Sequence, residues 1–147
     1  MEDRSITLTR VIQASPEAVW KCWTDPAILP EWFGPKGHSC KTKSIDLRQG
    51  GSWRFDMLGP KGEVWANRHE FTLYDPPKRI EFVMSDDSDG DPHAWVTVTL
   101  EPEAGGTRVT QVMVFPDAAI RQAVVDFGAI ELGQTTLDKL AAMAEAL

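Results

Sequence analysis

Apolar positions along the chain follow two periods, and the switches between them mark out its elements. Over residues 5–13 polar and apolar side chains alternate, Ile6 and Leu8 being followed after a slip by Val11 and Ile12, which predicts a strand. Ser15-Pro16-Glu17 then reads as a helix start, with serine as N-cap, proline in the first turn and Val19, Trp20 and Trp23 on one apolar face. Asp25-Pro26 ends that helix and opens a second short one through Ile28, Leu29 and Trp32, and Gly34-Pro35-Lys36-Gly37 follows as a loop. Period two returns over residues 40–47, 52–57, 63–74, 78–85, 93–100 and 107–115. These strands are parted by Gln49-Gly50-Gly51, by Gly59-Pro60-Lys61-Gly62, by Asp75-Pro76-Pro77, by an acidic loop over residues 86–92 and by a turn at Gly105-Gly106.

Residues 117–147 then change period again. Ile120, Ala123, Val124, Phe127, Ile130, Gln134, Leu137 and Ala141 recur at steps of three and four with no proline among them, which predicts one long amphipathic helix with Asp117 as its N-cap. Such a helix needs a broad apolar surface to lie on, and the strands supply it. Short turns make successive strands antiparallel neighbours. The expectation is an α+β fold: a six- to seven-stranded curved antiparallel sheet around a long C-terminal helix, with two short helices after the first strand.

Length and composition narrow the reading. At 147 residues the chain is expected to be a single domain, 1–147, and one of this size buries roughly 70% of its unfolded surface without staples. Fifteen basic against twenty-two acidic residues give a net charge of −7, which argues against nucleic acid as a partner. Cys22 and Cys40 make neither a disulfide framework nor a metal spacing, and read as reduced thiols of a cytoplasmic protein. No run reaches the roughly 18 apolar residues of a membrane span, and the first ten residues lack an apolar signal core. The run Asp86-Asp87-Ser88-Asp89-Gly90-Asp91 suggests calcium, but placing Gly90 at the loop glycine would put Ser85 first and Val96 at the bidentate acid; a solvated acidic loop is the reading.

Several local motifs then line up in order: Ala14-Ser15-Pro16-Glu17-Ala18-Val19-Trp20 with Thr24-Asp25-Pro26, Trp32-Phe33-Gly34-Pro35, Ile45-Asp46-Leu47-Arg48-Gln49-Gly50-Gly51, Asp75-Pro76-Pro77-Lys78-Arg79-Ile80, Gly105-Gly106-Thr107-Arg108-Val109 and Leu137-Asp138-Lys139-Leu140. Together they resemble the START-like (SRPBCC) superfamily, and within it the domains similar to the activator of heat-shock protein 90 ATPase. The resemblance implies a helix-grip fold with a cavity between sheet and helix for a small hydrophobic, lipid-like or aromatic ligand. Members often carry a glycine where this chain has His69, and a Gly-Trp pair where it has Gly133-Gln134.

In that arrangement the cavity walls would be Trp53, Phe55, Met57, Trp65, Asn67, His69, Phe71 and Met113 from the sheet and Phe127, Ile130 and Gln134 from the helix. The set is mostly apolar with a few polar groups, the usual make-up of a ligand site. For catalysis the residues are sparse: His38, His69 and His93 have no partner at metal spacing, and His69 is the single candidate for a general base. No metal and no cofactor is expected. Besides ligand binding, two other readings stay open: a chaperone-associated protein-interaction module, and an enzyme acting on an apolar aromatic or polycyclic substrate. Edge strands and tryptophans leave room for a homodimer.

Overall fold

The computed structural model describes residues 3–147. Strand β1 (Ser5–Ile12) leads into helix α1 (Pro16–Thr24), whose N-cap Ser15 accepts a hydrogen bond from the Ala18 amide through its side chain. The short helix α2 (Leu29–Trp32) follows, the Asp25 carboxylate accepting from the Ala27 amide at 2.8 Å in the turn before it. Strands β2 (Ser39–Ile45), β3 (Ser52–Leu58), β4 (Val64–Asp75), β5 (Arg79–Ser85), β6 (Ala94–Glu103) and β7 (Gly106–Val114) come next. The chain ends in α3 (Ala118–Asp126) and α4 (Ala129–Ala146). All seven strands form one antiparallel sheet in the order β1-β7-β6-β5-β4-β3-β2, so the first strand closes on the last, Ser5 opposite Val114 and Ile12 opposite Thr107. The curved sheet with a helix on its inner face is the helix-grip fold.

Alternation decides which side chains meet the helices. Ile6, Leu8 and Ile12 of β1, Trp53 and Phe55 of β3, Ile80 and Phe82 of β5, Val96, Val98 and Leu100 of β6 and Val109 of β7 are all buried on the inner face. Against them lie Val19, Cys22 and Trp23 of α1, Leu29 and Trp32 of α2, and Leu137, Leu140 and Ala144 of α4. The outer face carries charge. There the Asp87 carboxylate accepts from Arg54 Nε at 2.8 Å and Nη2 at 3.0 Å and from Arg68 Nε at 3.0 Å, with Lys43 Nζ at 3.7 Å. The acidic loop is therefore not wholly solvated as expected. Asp86 and Asp89 face water, but Asp87 folds back with its side chain only 5% exposed, and its hydrogen bond with Arg54 is the main force holding its pKa down at about 2. Before the Gly50-Gly51 turn Arg48 Nε lies 2.8 Å from Asp46 Oδ2 in an exposed ion pair.

A second expectation needs correction. The terminal helix is not continuous: it breaks at Gly128, which sits at φ +99°, a left-handed conformation that a Cβ disfavours. Asp117 does cap the first segment, accepting from the Ile120 amide at 2.8 Å. But α3 buries none of its residues, and Ile120 and Phe127, assigned to the shared apolar face, are 42% and 76% exposed. A single glycine in a helical period is tolerated often enough that spacing alone does not reveal a break.

Candidate functional site

The inner face of the sheet is filled at one end and open at the other. At the filled end Phe33, just after α2, is driven into the sheet. Its ring centroid lies 5.4 Å from that of Trp53, 6.0 Å from Phe55 and 5.2 Å from His69. Trp53 stacks on Phe55 at 3.8 Å and donates its indole N–H to Thr42 Oγ1 at 3.1 Å. His69 stacks on Phe82 at 4.5 Å and meets Phe71 edge-on at 6.5 Å. The imidazole is thus boxed in by aromatic rings, its Nε2 has no hydrogen-bond partner, and burial pushes its pKa down to about 3. That excludes His69 as a solvent-reachable general base.

At the open end the two layers part around a cleft of about 370 Å³. Its floor is Leu8, Phe82, Met84, Ala94, Gln111 and Met113, and α4 supplies Ala129, Leu132, Gly133 and Thr136. Met57 and Asn67 stand at one rim beside Gly34 and Pro35, and His93, Phe115, Val124 and Phe127 stand at the other. His93, Phe115 and Val124 also line a neighbouring hollow that runs to Ile120, so the cleft opens beneath α3. No lysine, arginine, aspartate or glutamate lines the cleft among the described residues.

The lip at Gly34 and Pro35 is tied to α4. Lys139 Nζ donates to the carbonyls of Gly34 at 3.0 Å and His38 at 3.3 Å, and Thr135 Oγ1 accepts from the Lys36 amide at 3.0 Å. Among the described residues no carboxylate pairs with the ammonium, and burial lowers its pKa. Gly34 sits at φ +102°, and a Cβ there would lie 2.8 Å from Met57 Sδ, so this lip needs glycine.

The structure sorts the residues expected to line a cavity into separate places. Met57, Asn67, Met113 and Phe127 meet at the cleft. Trp53, Phe55, His69 and Phe71 belong instead to the filled end, all at most 4% exposed. Trp65 is 42% exposed: β4 pairs with β5 only from Arg68 onward, so residues 64–67 pair with β3 alone and run past the end of β5, and the indole stacks on His38 at 5.8 Å. Ile130 packs against the core, and Gln134 Oε1 accepts from Arg10 Nη2 at 3.1 Å. Sequence reasoning missed Gln111 and Met84. The signal for Gln111 was there: it is the polar member of the inward row Val109, Gln111, Met113.

Gly133 sets how closely α4 approaches β1, because a Cβ there would collide with Leu8 Cδ1. That methyl borders the cleft and has room to swing into it. Gly133→Ala is therefore expected to change the thermal midpoint by only a few degrees while weakening binding of an apolar probe severalfold, since the displaced methyl takes ligand space. Paired melting and titration curves check this; a large loss of stability with unchanged binding would contradict it.

Chemically the cleft offers apolar surface, two carboxamides, one threonine and one histidine. No nucleophile–base pair converges on it among the described residues. The two thiols lie outside its lining, and burial raises Cys22 to about 11 and Cys40 to about 12, which keeps them protonated. No described helix is long and apolar enough to cross a membrane.

Comparison with known proteins agrees with this fold. The chain is similar to protein Ms6760 from Mycobacterium smegmatis, with 30% identity, a TM-score of 0.86, and 99% of this chain and 96% of that one covered. Protein CV1439 from Chromobacterium violaceum gives 30% identity and a TM-score of 0.81, with 97% of each chain covered. Protein NE0264 from Nitrosomonas europaea gives 26% and 0.84, covering 97% of this chain and 94% of that one. No curated protein matches the chain. The family model described as "Activator of Hsp90 ATPase homolog 1-like protein" matches residues 13–145, and the chain belongs to that family, within the START-like (SRPBCC) superfamily.

Proposed function

We propose that this protein binds a small hydrophobic molecule, lipid-like or aromatic, in the cleft between the sheet and its terminal helices. The observation that carries the reading is an uncharged apolar hollow of about 370 Å³ left open in a face whose other half is packed solid. That volume is at the low end of small-molecule sites. Affinity would come from apolar burial, at about 0.8 kcal/mol per methylene removed from water. The free thiols of Cys22 and Cys40 support a reducing, cytoplasmic setting. A protein-docking role is supported less well, because the exposed large apolar side chains Val64, Trp65, Trp95, Ile120 and Phe127 are spread over β4, β6 and the α3 end.

Nile red, an uncharged dye that brightens in apolar surroundings, tests the reading. Wild-type protein should bind it with saturable fluorescence. Ala129→Trp, which puts a large ring in the cleft from the start of α4, should weaken binding at least about tenfold with little change in melting temperature. Trp65→Ala, outside the cleft, should bind as wild type does. Equal binding by wild type and Ala129→Trp, or none by either, would refute the proposal.

A further inference from the structure

Resting on that reading of the cleft, we propose that its ligand is an uncharged amphiphile with one hydrogen-bonding group, an alcohol, ketone, ester or amide, and that Gln111 is the residue that reads that group. Three observations lead there.

The first is the position of Gln111. It lies on β7 between Leu8 of β1 and Val98 of β6, on the row that otherwise presents Val109 and Met113 inward. Strand alternation would accept an apolar residue there, yet a carboxamide lines the cleft floor. Among the described residues no side chain or backbone group hydrogen-bonds that carboxamide. The neighbouring polar side chains of the inner face are partnered: Arg10 on Gln134 and Asp138, and Thr107 on the Ala14 carbonyl at 2.7 Å. Gln111 is half-buried, so its carboxamide still reaches solvent, and a ligand that covers it is rewarded for supplying the partner that water otherwise provides.

The second is charge. Among the described residues no lysine, arginine, aspartate or glutamate lines the cleft, and Asp91 and Asp117 stand only in the outer hollow beneath α3, so a carboxylate or ammonium at the floor would be desolvated with nothing beside it to compensate it. The cation on the neighbouring stretch of β1, Arg10, is already held by Asp138 Oδ1 at 2.7 Å. Among the described residues the one titratable group of the lining, His93, stands at the rim with its side chain 55% exposed.

The third is chemistry. A carboxamide both donates and accepts, so it serves a hydroxyl as well as a carbonyl and prefers neither charge. Asn67 offers less, because its Nδ2 already donates to the Trp65 carbonyl at 2.9 Å. The polar group of the ligand would therefore face the floor, and its apolar body would extend toward Met84, Phe115 and the opening beneath α3.

Decanol, decanoate and decylammonium share one chain length and differ in head charge. Each is titrated at neutral pH by displacement of Nile red from wild type, Gln111→Leu and Gln111→Glu, with melting curves confirming that each variant is folded. Wild type should bind decanol at least about tenfold more tightly than either ion. Gln111→Leu should weaken decanol binding about fivefold, as expected for one lost hydrogen bond, each displacement curve being converted with that variant's own Nile red affinity. Gln111→Glu should move the preference to decylammonium. Dye binding without decanol selectivity in wild type, or decanol affinity unchanged in Gln111→Leu, overturns this inference and leaves the cleft's binding role standing. Failure of dye and decanol alike to bind overturns both.

Discussion

Lowering the pH from about 7.5 to about 4.5 is expected to remove roughly 2 to 3 kcal/mol of stability, and His69→Phe is expected to abolish that loss. The source is the aromatic box of Phe33, Trp53, Phe55, Phe71 and Phe82 around an imidazole that has no room for hydration. Burial holds the folded-state pKa near 3, against 6.5 for the free side chain. Over that interval the unfolded chain takes up a proton that the folded chain refuses. Stability is therefore complete above pH 6.5 and drains away as the pH falls toward 3, with a limiting slope of about 1.4 kcal/mol per pH unit. The rings boxing His69 carry no titratable group, so no neighbour offsets the effect. The Asp87 carboxylate also loses stabilising power in acid, but between its ordinary 3.8 and about 2, below this window. Urea unfolding at a series of pH values checks the expectation. A flat midpoint for wild type down to pH 4.5, or an unchanged slope in His69→Phe, would show that the imidazole is not held neutral by the fold.

His69 also shows how far the sequence could be read. Its strand, its inward direction and its neighbours on the same face all follow from alternation, as do the inner rows of β3, β5, β6 and β7. Local start signals worked equally well: Ser15 and Asp117 cap the helices they were expected to cap. Alternation assigns a face, however, and not a place along it. Whether Trp53 meets ligand or core depends on where Phe33, Trp23 and Trp32 land, and that is settled by packing between segments distant in sequence. Trp65 has the right parity but lies where β4 has outrun β5, a limit set by strand pairing that no local pattern records. A single helical phase through residues 117–147 assigns Gln134 to the cavity, whereas the turn at Gly128 separates α3 from α4 and leaves Gln134 facing Arg10 of β1.

The division of the inner face into a filled and an open end gives the second large expected effect, a separation of stability from binding within one layer of side chains. Trp53→Ala should cost about 3 to 5 kcal/mol. The indole is fully buried, stacked on Phe55 and hydrogen-bonded to Thr42, and its removal would leave a cavity walled by rings that cannot collapse into it. Met113→Ala, on the same face, should cost about 1 kcal/mol or less, because its side chain is only partly buried and already borders empty space. The same change enlarges the cleft and removes a contact from it, so Nile red affinity should shift severalfold. Trp53→Ala, if assayed at a temperature where it remains folded, should leave that affinity close to wild type. Denaturation curves and dye titrations on the two variants decide the matter. Similar stability losses in both would mean that the open end is packed as tightly as the filled one, and the cleft would then be no place for a ligand.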